Sequence, residues 1–235
     1  FNGSGPQSVT GTETLALKYL IVDKSADTLK LETSLEVEAG GILWPTNGVI
    51  ALNGNDLTLR SSAAGTAAIG AVGDTITGDL TFERYVPGND NGAASFVNLS
   101  SYVEGTSVTD WSGANHVFHY NEAVVGGLNA GWVISSGTLP IGGGYMAQFP
   151  GSAPVTLSYT GGLTSGPIEV DITLTSSGTA ENDGWNLIGN PYPAPVTFED
   201  VLWTGTGDRP SGFWVYDGDN GAYTQKLGSN DVAVG

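Results

Sequence analysis

The sequence predicts an all-β protein, in which a short parallel β-solenoid-like region is followed by an antiparallel β-sandwich or jelly roll. Three observations support this prediction. Apolar and polar residues alternate with the two-residue period of β-strands, and no segment of 10–15 residues shows the period of an amphipathic α-helix. The one short exception is residues 197–203, where Thr197 could cap a turn or two of helix. Turn-forming dipeptides such as Asn47-Gly48 and Asn53-Gly54 recur at short intervals. Glycine makes up 36 of the 235 residues, about twice the usual share of roughly 7%.

The first region, residues 1–80, is predicted to be the solenoid. Residues 29–33 and 35–38 alternate apolar and polar side chains, and segments rich in Leu, Ile and Val recur at a loose spacing of about 15–20 residues. These segments lie near residues 15–22, 29–37, 49–59 and 69–76. In a solenoid, each rung buries its inward residues against the neighbouring rungs. A β-meander is the alternative, because the repeat is irregular.

The second region, residues 81–235, is predicted to be the sandwich module, truncated at its C-terminal end. It holds five of the six tryptophans and most of the prolines. Short strands separated by long loops are typical of sandwiches and jelly rolls. The predicted strands are residues 94–98, 116–120, 131–135, 144–149, 155–160, 168–174, 185–189, 212–217 and 222–226.

Composition excludes several functions. The chain has 24 acidic and 7 basic residues, a formal charge of −17, and so few bases cannot form the cationic footprint that nucleic acid requires. It has no cysteine, which excludes disulfides and thiolate chemistry. No apolar run reaches the roughly 18 residues of a membrane-spanning helix, so membrane insertion is not expected.

Several motifs of the second region occur in a characteristic order. They are Glu83-Arg84-Tyr85, Phe96-Val97-Asn98-Leu99, Asp110-Trp111, Tyr120-Asn121-Glu122, Gly131-Trp132, Gly142-Gly143-Gly144-Tyr145, the GWNLIGNPYP segment at residues 184–193, and Phe213-Trp214-Val215-Tyr216. This order resembles a β-rich module of bacterial surface and secreted proteins exported by the type IX secretion system, and GWNLIGNPYP is its most specific part. The resemblance covers residues 80–235 well and residues 1–80 loosely.

The resemblance implies secretion and an extracellular or cell-surface location, without an established catalytic activity. Members of that family usually continue into a further strand with a Gly-Phe-Phe-like ending and a separate sorting domain. Neither follows here, and the chain is therefore expected to be part of a longer protein.

The GWNLIGNPYP segment also has a physical interpretation. Trp185 is predicted to lie in a strand that ends before Asn190. Pro191 and Pro193 carry no N–H group and cannot donate to a β-ladder, so a rigid turn beneath a packed Tyr192 is expected, with Tyr192–Pro193 a candidate cis bond. A loop that faces a ligand is the alternative.

Signatures of catalysis are missing from the sequence. It contains neither the G-x-S-x-G nucleophile elbow nor a phosphate-binding loop. His116 and His119 lie three apart on a predicted strand and so point to opposite faces, which disfavours a shared metal. The sequence therefore predicts that the chain is not an enzyme.

No cofactor is predicted apart from Ca²⁺. Asp217, Asp219 and Asn220 begin like a calcium loop, but Gly221 and Gly228 stand where further ligands belong. A plain hairpin turn explains the same residues.

Trp214 and Tyr216 are the candidate carbohydrate-binding residues. They share one face of a predicted strand, and flat aromatic rings stack on the apolar C–H faces of pyranose sugars. The alternative is that both faces of this strand are covered, because large aromatic side chains are usually buried.

Thr28 and Thr75 are candidate O-glycosylation sites. Asp27-Thr28-Leu29 and Asp74-Thr75-Ile76 are similar to the Asp-Thr-apolar sites that are modified in bacteria with this secretion system.

Together these features predict a non-catalytic extracellular module with a structural or adhesive role in a large secreted or cell-surface protein. Its expected partners are extracellular glycans or other surface proteins. One alternative is a carbohydrate-binding accessory region of a secreted hydrolase. The other is a filament subunit that self-associates by adding a strand at an exposed sheet edge.

Overall fold

A computed structural model of the chain describes residues 1–89, 92–126, 128–176, 183–198, 201–204, 212–217, 221–227 and 231–232. Within these ranges the protein is all-β, as predicted, with a single short 3₁₀ element at Leu128–Gly131 and no α-helix. None of the described helical residues forms a segment long and apolar enough to cross a membrane. The strands are β1 Asn2–Gly3, β2 Gln7–Val9, β3 Leu15–Leu31, β4 Leu35–Ala51, β5 Leu57–Leu59, β6 Ser61–Ser62, β7 Gly65–Thr66, β8 Ala68–Ile69, β9 Ile76–Thr77, β10 Leu80–Val86, β11 Ser95–Leu99, β12 His116–Tyr120, β13 Trp132–Ile134, β14 Tyr145–Phe149, β15 Val155–Gly161, β16 Val196–Thr197, β17 Gly212–Asp217, β18 Ala222–Leu227 and β19 Asp231–Val232.

The first region forms a parallel solenoid of about four turns, which confirms the solenoid prediction over the meander. Strands β1 and β2 pair with β3, β3 with β4, β4 with β5, and β5 with β10, all in parallel. Register partners lie 20 residues apart from Leu15 to Leu35 and 22 from Leu35 to Leu57. The spacing widens to 23 residues from Tyr19 to Ile42 and to 26 from Ile42 to Ala68. The predicted 15–20 was therefore too short, because register shifts within β3–β4 and the β6–β7 hairpin lengthen the rungs.

Identical inward positions of successive rungs stack into columns. Leu15 pairs with Leu35, Leu35 with Leu57, and the β5–β10 register places Leu80 next. Leu35, Leu57 and Leu80 are fully buried. Fully burying one leucine contributes roughly 1.5–3 kcal/mol, so this leucine column is a major part of the solenoid core.

An ion-pair bridge ties three rungs together on the outside of the solenoid. The Arg60 guanidinium donates to both carboxylate oxygens of Glu36 at 3.0 and 2.8 Å and to Glu83 at 2.5 Å. These hydrogen bonds, first to Glu36 and then to Glu83, raise the pKa of Arg60. Because the bridge is partly exposed to solvent, it adds less to stability than the buried column does.

The solenoid sheet continues past residue 80 and is closed by a strand of the second region. Strand β10 lies parallel to β5 on one side and antiparallel to β15 on the other, with Leu80 opposite Gly161 and Val86 opposite Val155. The nine-stranded sheet therefore ends at β15. This joins the two regions through backbone hydrogen bonds.

The second region adds a four-stranded antiparallel sheet in the order β11-β14-β12-β13. Its buried residues belong to the same apolar cluster as those of β10 and β15. Phe82, Tyr102 and Tyr159 lie with ring centroids 5.7–6.2 Å apart, and Trp111 packs edge-on against Tyr145 at 5.6 Å. Burial raises the pKa of Tyr102 and of Tyr145 to about 12, so both hydroxyls stay protonated at neutral pH.

Seven of the predicted strands in the second region match observed strands to within one or two residues. The strands predicted at residues 168–174 and 185–189 were wrong, because neither segment forms a strand. The Thr173 N–H donates to Asn186 Oδ1 at 3.1 Å, and Asn186 Nδ2 donates to the Thr173 carbonyl at 2.8 Å. A side-chain amide thus occupies backbone groups that a β-ladder would have used.

Alanine substitutions in the leucine column should lower stability more at its buried positions than at its exposed one. Leu57→Ala should lower the free energy of unfolding by about 2–5 kcal/mol, because it opens a cavity between two covered rungs. Leu15→Ala, at a position that is 40% exposed, should cost about 1 kcal/mol or less. Urea denaturation checks this pair, and equal losses would contradict the assigned rung order.

Candidate functional site

The predicted carbohydrate-binding residues lie on the β17–β18 hairpin. In its antiparallel register Trp214 faces Gln225 and Tyr216 faces Tyr223. Directly opposite residues and alternate residues of a strand share one face. All four side chains therefore lie on the same face of the hairpin.

This face presents aromatic rings to solvent. Trp214 is 46% exposed and Tyr223 is 47% exposed. Trp214 meets Trp185 edge-on at 5.8 Å, and Tyr216 meets Tyr223 at 5.1 Å. We call Trp185, Trp214, Tyr216 and Tyr223 the aromatic surface.

The opposite face of the hairpin packs on the protein through Phe213. Its ring lies 5.1 Å from that of Phe198, which follows β16. Val215, on the same side, is half exposed. The expectation that both faces of this strand are covered was therefore wrong, because Trp214 remains open to solvent.

A second aromatic pair lies on β12 and β13. Tyr120 packs edge-on against Trp132 at 5.2 Å. Gly131 makes this contact possible, because a Cβ there would lie 2.5 Å from Tyr120 Cζ. Burial raises the pKa of Tyr223, and the charges of the Tyr216 and Tyr120 hydroxyls raise it further. Tyr120 thus stands electrostatically close to the aromatic surface.

Glu122 provides a fixed negative charge two residues from Tyr120. Its carboxylate accepts hydrogen bonds from Thr173 Oγ1 at 2.6 Å, from the Thr175 N–H at 2.8 Å and from Thr175 Oγ1 at 2.9 Å. These bonds, the one from Thr173 most strongly, lower the pKa of Glu122, although the charge of Asp183 opposes them. An ionised carboxylate is a hydrogen-bond acceptor only.

Sequence reasoning identified Trp214 and Tyr216 but missed Tyr223 and the electrostatic neighbour Tyr120. Tyr223 could have been found from the hairpin register, since Tyr216 and Tyr223 are equidistant from the intervening turn. Trp185 was placed in a strand and instead lies outside any strand, against Trp214. Nothing in the local sequence relates Tyr120 to the hairpin.

The calcium prediction falls mostly outside the structure. Asp217 ends β17 opposite Ala222, while Asp219 and Asn220 lie outside the described residues. Within the part of the chain that is described, no three His, Asp or Glu side chains are close enough together to hold a metal ion.

The two candidate glycosylation sites have the same local geometry. The Thr28 N–H donates to Asp27 Oδ1 at 2.7 Å, and the Thr75 N–H donates to Asp74 Oδ1 at 2.9 Å. Thr75 is exposed and Thr28 is half-buried. The register places Thr28 beside Val49, whose neighbour Ile50 bonds to the Thr75 carbonyl. Both sites therefore lie on the same side of the solenoid.

Asn190 is the centre of a turn that fastens the second region to the solenoid. Asn190 Nδ2 donates to the Ala194 carbonyl at 2.7 Å, and its Oδ1 accepts the Tyr192 N–H at 3.0 Å. Its own carbonyl accepts from Ser100 Oγ at 2.6 Å. The Pro193 carbonyl accepts the N–H of Ile69 in the last solenoid rung at 2.8 Å.

The residues around Asn190 fit the predicted rigid turn. The Tyr192 hydroxyl donates to the Gly166 carbonyl at 2.7 Å, and Pro193 is buried beside the half-buried Pro191. No cis peptide bond occurs among the described residues, so the candidate cis bond at Tyr192–Pro193 was wrong. An open groove of about 330 Å³ is lined by this turn together with residues 69–72 and 163–166.

A family model described as "Domain of unknown function (DUF8693)" matches residues 8–216. No curated protein and no solved structure matches the chain significantly.

A substitution at Gly189 tests the close packing of the turn around Asn190. An added Cβ would lie 2.4 Å from both the Gly143 carbonyl oxygen and Ser100 Cβ. Gly189→Ala should therefore destabilise the protein by about 1–3 kcal/mol. Gly162→Ala, where a Cβ meets nothing within 4 Å, is the matched control and should leave the thermal midpoint almost unchanged. Equal midpoints for the two variants would disprove the close contact.

The hydrogen bonds to the Glu122 carboxylate should be lost as the pH falls. Because the folded pKa lies below the ordinary value of 4.5, the bonds to Thr173 and Thr175 are fully formed above that value. They are lost as pH falls through the lowered pKa. NMR titration should show the Thr175 amide shift moving with the Glu122 carboxyl, and Glu122→Gln should abolish that movement. A Thr175 transition at or above 4.5 would contradict the assignment.

Proposed function

The chain belongs to the DUF8693 family, whose model covers most of its length, and we propose that it is a non-catalytic extracellular module with an adhesive role. It would serve within a larger secreted or cell-surface protein and contact glycans through the aromatic surface. The observation that carries the proposal is the exposure of Trp214 and Tyr223, close to half each, on one face of a hairpin.

Exposed aromatic rings at fixed positions favour a binding role. Burying a large aromatic side chain is strongly favourable, so leaving Trp214 open forgoes stability that a purely structural strand would gain. The ring is held in place from below, because Phe213 packs on Phe198 and Trp185 borders Trp214. A ring held in this way loses little conformational entropy when a sugar stacks on it.

The polar groups around the rings suit hydroxyl-rich ligands. Gln225 lies opposite Trp214 and offers both a donor and an acceptor. The carboxylate of Glu122 accepts hydrogen bonds close to Tyr120. A few oriented polar groups beside apolar rings are the usual composition of a small-molecule site.

The extracellular location follows from the resemblance of the GWNLIGNPYP segment to modules of type IX-exported proteins. In support, the Asn190 turn joins the second region to the solenoid, the same two-part arrangement as in the usual context of that segment. An accessory region beside a secreted hydrolase would use the same surface. Only the neighbouring domain would distinguish that role from adhesion.

We also propose that residues 81–235 are built as a β-sandwich. The β10–β15 pair and the four-stranded sheet contribute to one buried cluster, with Phe82, Tyr102 and Tyr159 on one side and Trp111 and Tyr145 on the other. Two sheets packed face to face over one core are the defining feature of that architecture.

A glycan array followed by titration tests the proposed function. We expect glycan binding that Trp214→Ala weakens at least about tenfold, equivalent to about 1.4 kcal/mol, because the stacking ring is lost. Val215→Ala is the matched control, as it lies on the same strand, is similarly exposed and points to the other face. A blank array, or equal losses in both variants, would overturn the proposal.

A further inference from the structure

The N-terminal end of the solenoid sheet has an edge segment that no described residue pairs with. It is the outer edge of β3 from Leu15 to Leu20, at the N-terminal end of the stack. Strand β1 covers β3 at Asp23 and Lys24, and β2 covers Leu29–Leu31. We call residues 15–20 the open edge.

The leucine column is uncovered at this edge. Leu15 is 40% exposed, whereas Leu35, Leu57 and Leu80 in the same column are fully buried. In the neighbouring column Leu17 is half-buried, and its equivalents Val37, Leu59 and Phe82 are buried. The open edge therefore exposes inward-facing core positions, not surface positions.

On the outer face, too, side chains at this end are more exposed than those one rung along. Tyr19 is 60% exposed and Ile21 is 53% exposed. Their register partners one rung along, Ile42 and Trp44, are only half-exposed or less. Trp44 is covered because Tyr19 stacks on it at 6.0 Å with the rings 24° apart.

Elsewhere the same end of the solenoid is closed. The side chain of Lys24 is buried, and its ammonium donates to the Gly5 carbonyl at 2.5 Å and to Gln7 Oε1 at 3.2 Å. Residues 5–9 thus cover the end above Lys24 and Leu29–Leu31. At this end of the solenoid the exposed large apolar side chains thus lie at the open edge, at Ile21 beside it and at Phe1.

Common protection against edge pairing is also missing there. Exposed edges are commonly blocked by a lysine that projects over them or by proline. The edge contains no proline, and the ammonium of its one lysine, Lys18, donates to the Ala39 carbonyl of the next rung. The charge is therefore turned towards the covered side.

We propose that the open edge is a docking site for one further parallel β-strand from another solenoid segment, with apolar residues seated on Leu15 and Leu17. Every strand pair from β1 to β10 in this stack is parallel, so the added strand continues an existing interface. It would bring the exposed members of both columns to the state of the buried ones.

A second copy of the chain does not fit this edge. The opposite end of the sheet is β15, which runs antiparallel to the stack, so its outer edge cannot supply a parallel strand. Two copies could otherwise meet through their two open edges. Those edges would run antiparallel, and the columns could not continue in register. The occupant is therefore a separate parallel strand.

Hydrogen exchange with a capped peptide of sequence LALKYLIV, that of residues 15–22, tests the proposal. Saturating peptide should slow exchange of the amides of the open edge by about tenfold or more and leave β15 unchanged. A spin label on the peptide N-terminus should broaden resonances near Leu15, as a parallel strand requires. A peptide with serine at its first and third positions is the control and should give no protection.

Variants of the protein complete the test. Leu15→Lys should abolish the protection, while Leu174→Lys, at an exposed position outside the solenoid, should not. Unchanged exchange elsewhere in each variant shows that it is folded. No slowing by the peptide, or broadening near Val22 instead of Leu15, would overturn the proposal. Protection that rises with protein concentration in the absence of peptide would also overturn it, because a second copy would then occupy the edge.

Discussion

Stacking of equivalent inward residues on successive rungs is the interaction on which the rest of the structure depends. Parallel in-register pairing places Leu35, Leu57 and Leu80 above one another, and each rung is buried only because its neighbours are present. Strand β10 belongs to this stack and also to the core of the second region. The aromatic packing around Phe82 and Tyr159 is therefore oriented by the solenoid.

The aromatic surface is held at some distance from this core. The hairpin that carries Trp214 and Tyr216 pairs only with itself among the described strands. It is anchored through Phe213 and bordered by Trp185, just before the Asn190 turn. The GWNLIGNPYP segment therefore begins beside the aromatic surface, at Trp185, and ends in the turn around Asn190. It has a role at both ends.

Local pattern was sufficient to predict the strand content, the solenoid and the shared face of Trp214 and Tyr216, because all of these depend on two-residue alternation. It failed at residues 168–174, where Asn186 takes the backbone partners of Thr173. It could not find the contact of Glu122 with Thr173 or the influence of Tyr120 on Tyr223, because these pairs lie about 50 and 100 positions apart in the chain. It also underestimated the rung length, since loops that bulge outward leave the apolar pattern unchanged.

The closure of the sheet by β15 has a consequence for the order of folding. The rungs pair residues about 20 positions apart and can assemble one after another from local contacts. The β10–β15 pair joins Leu80 to Gly161 across most of the second region. Because distant contacts form slowly, the closing strand is expected to dock last. Until then, the outer edge of β10 would remain unpaired.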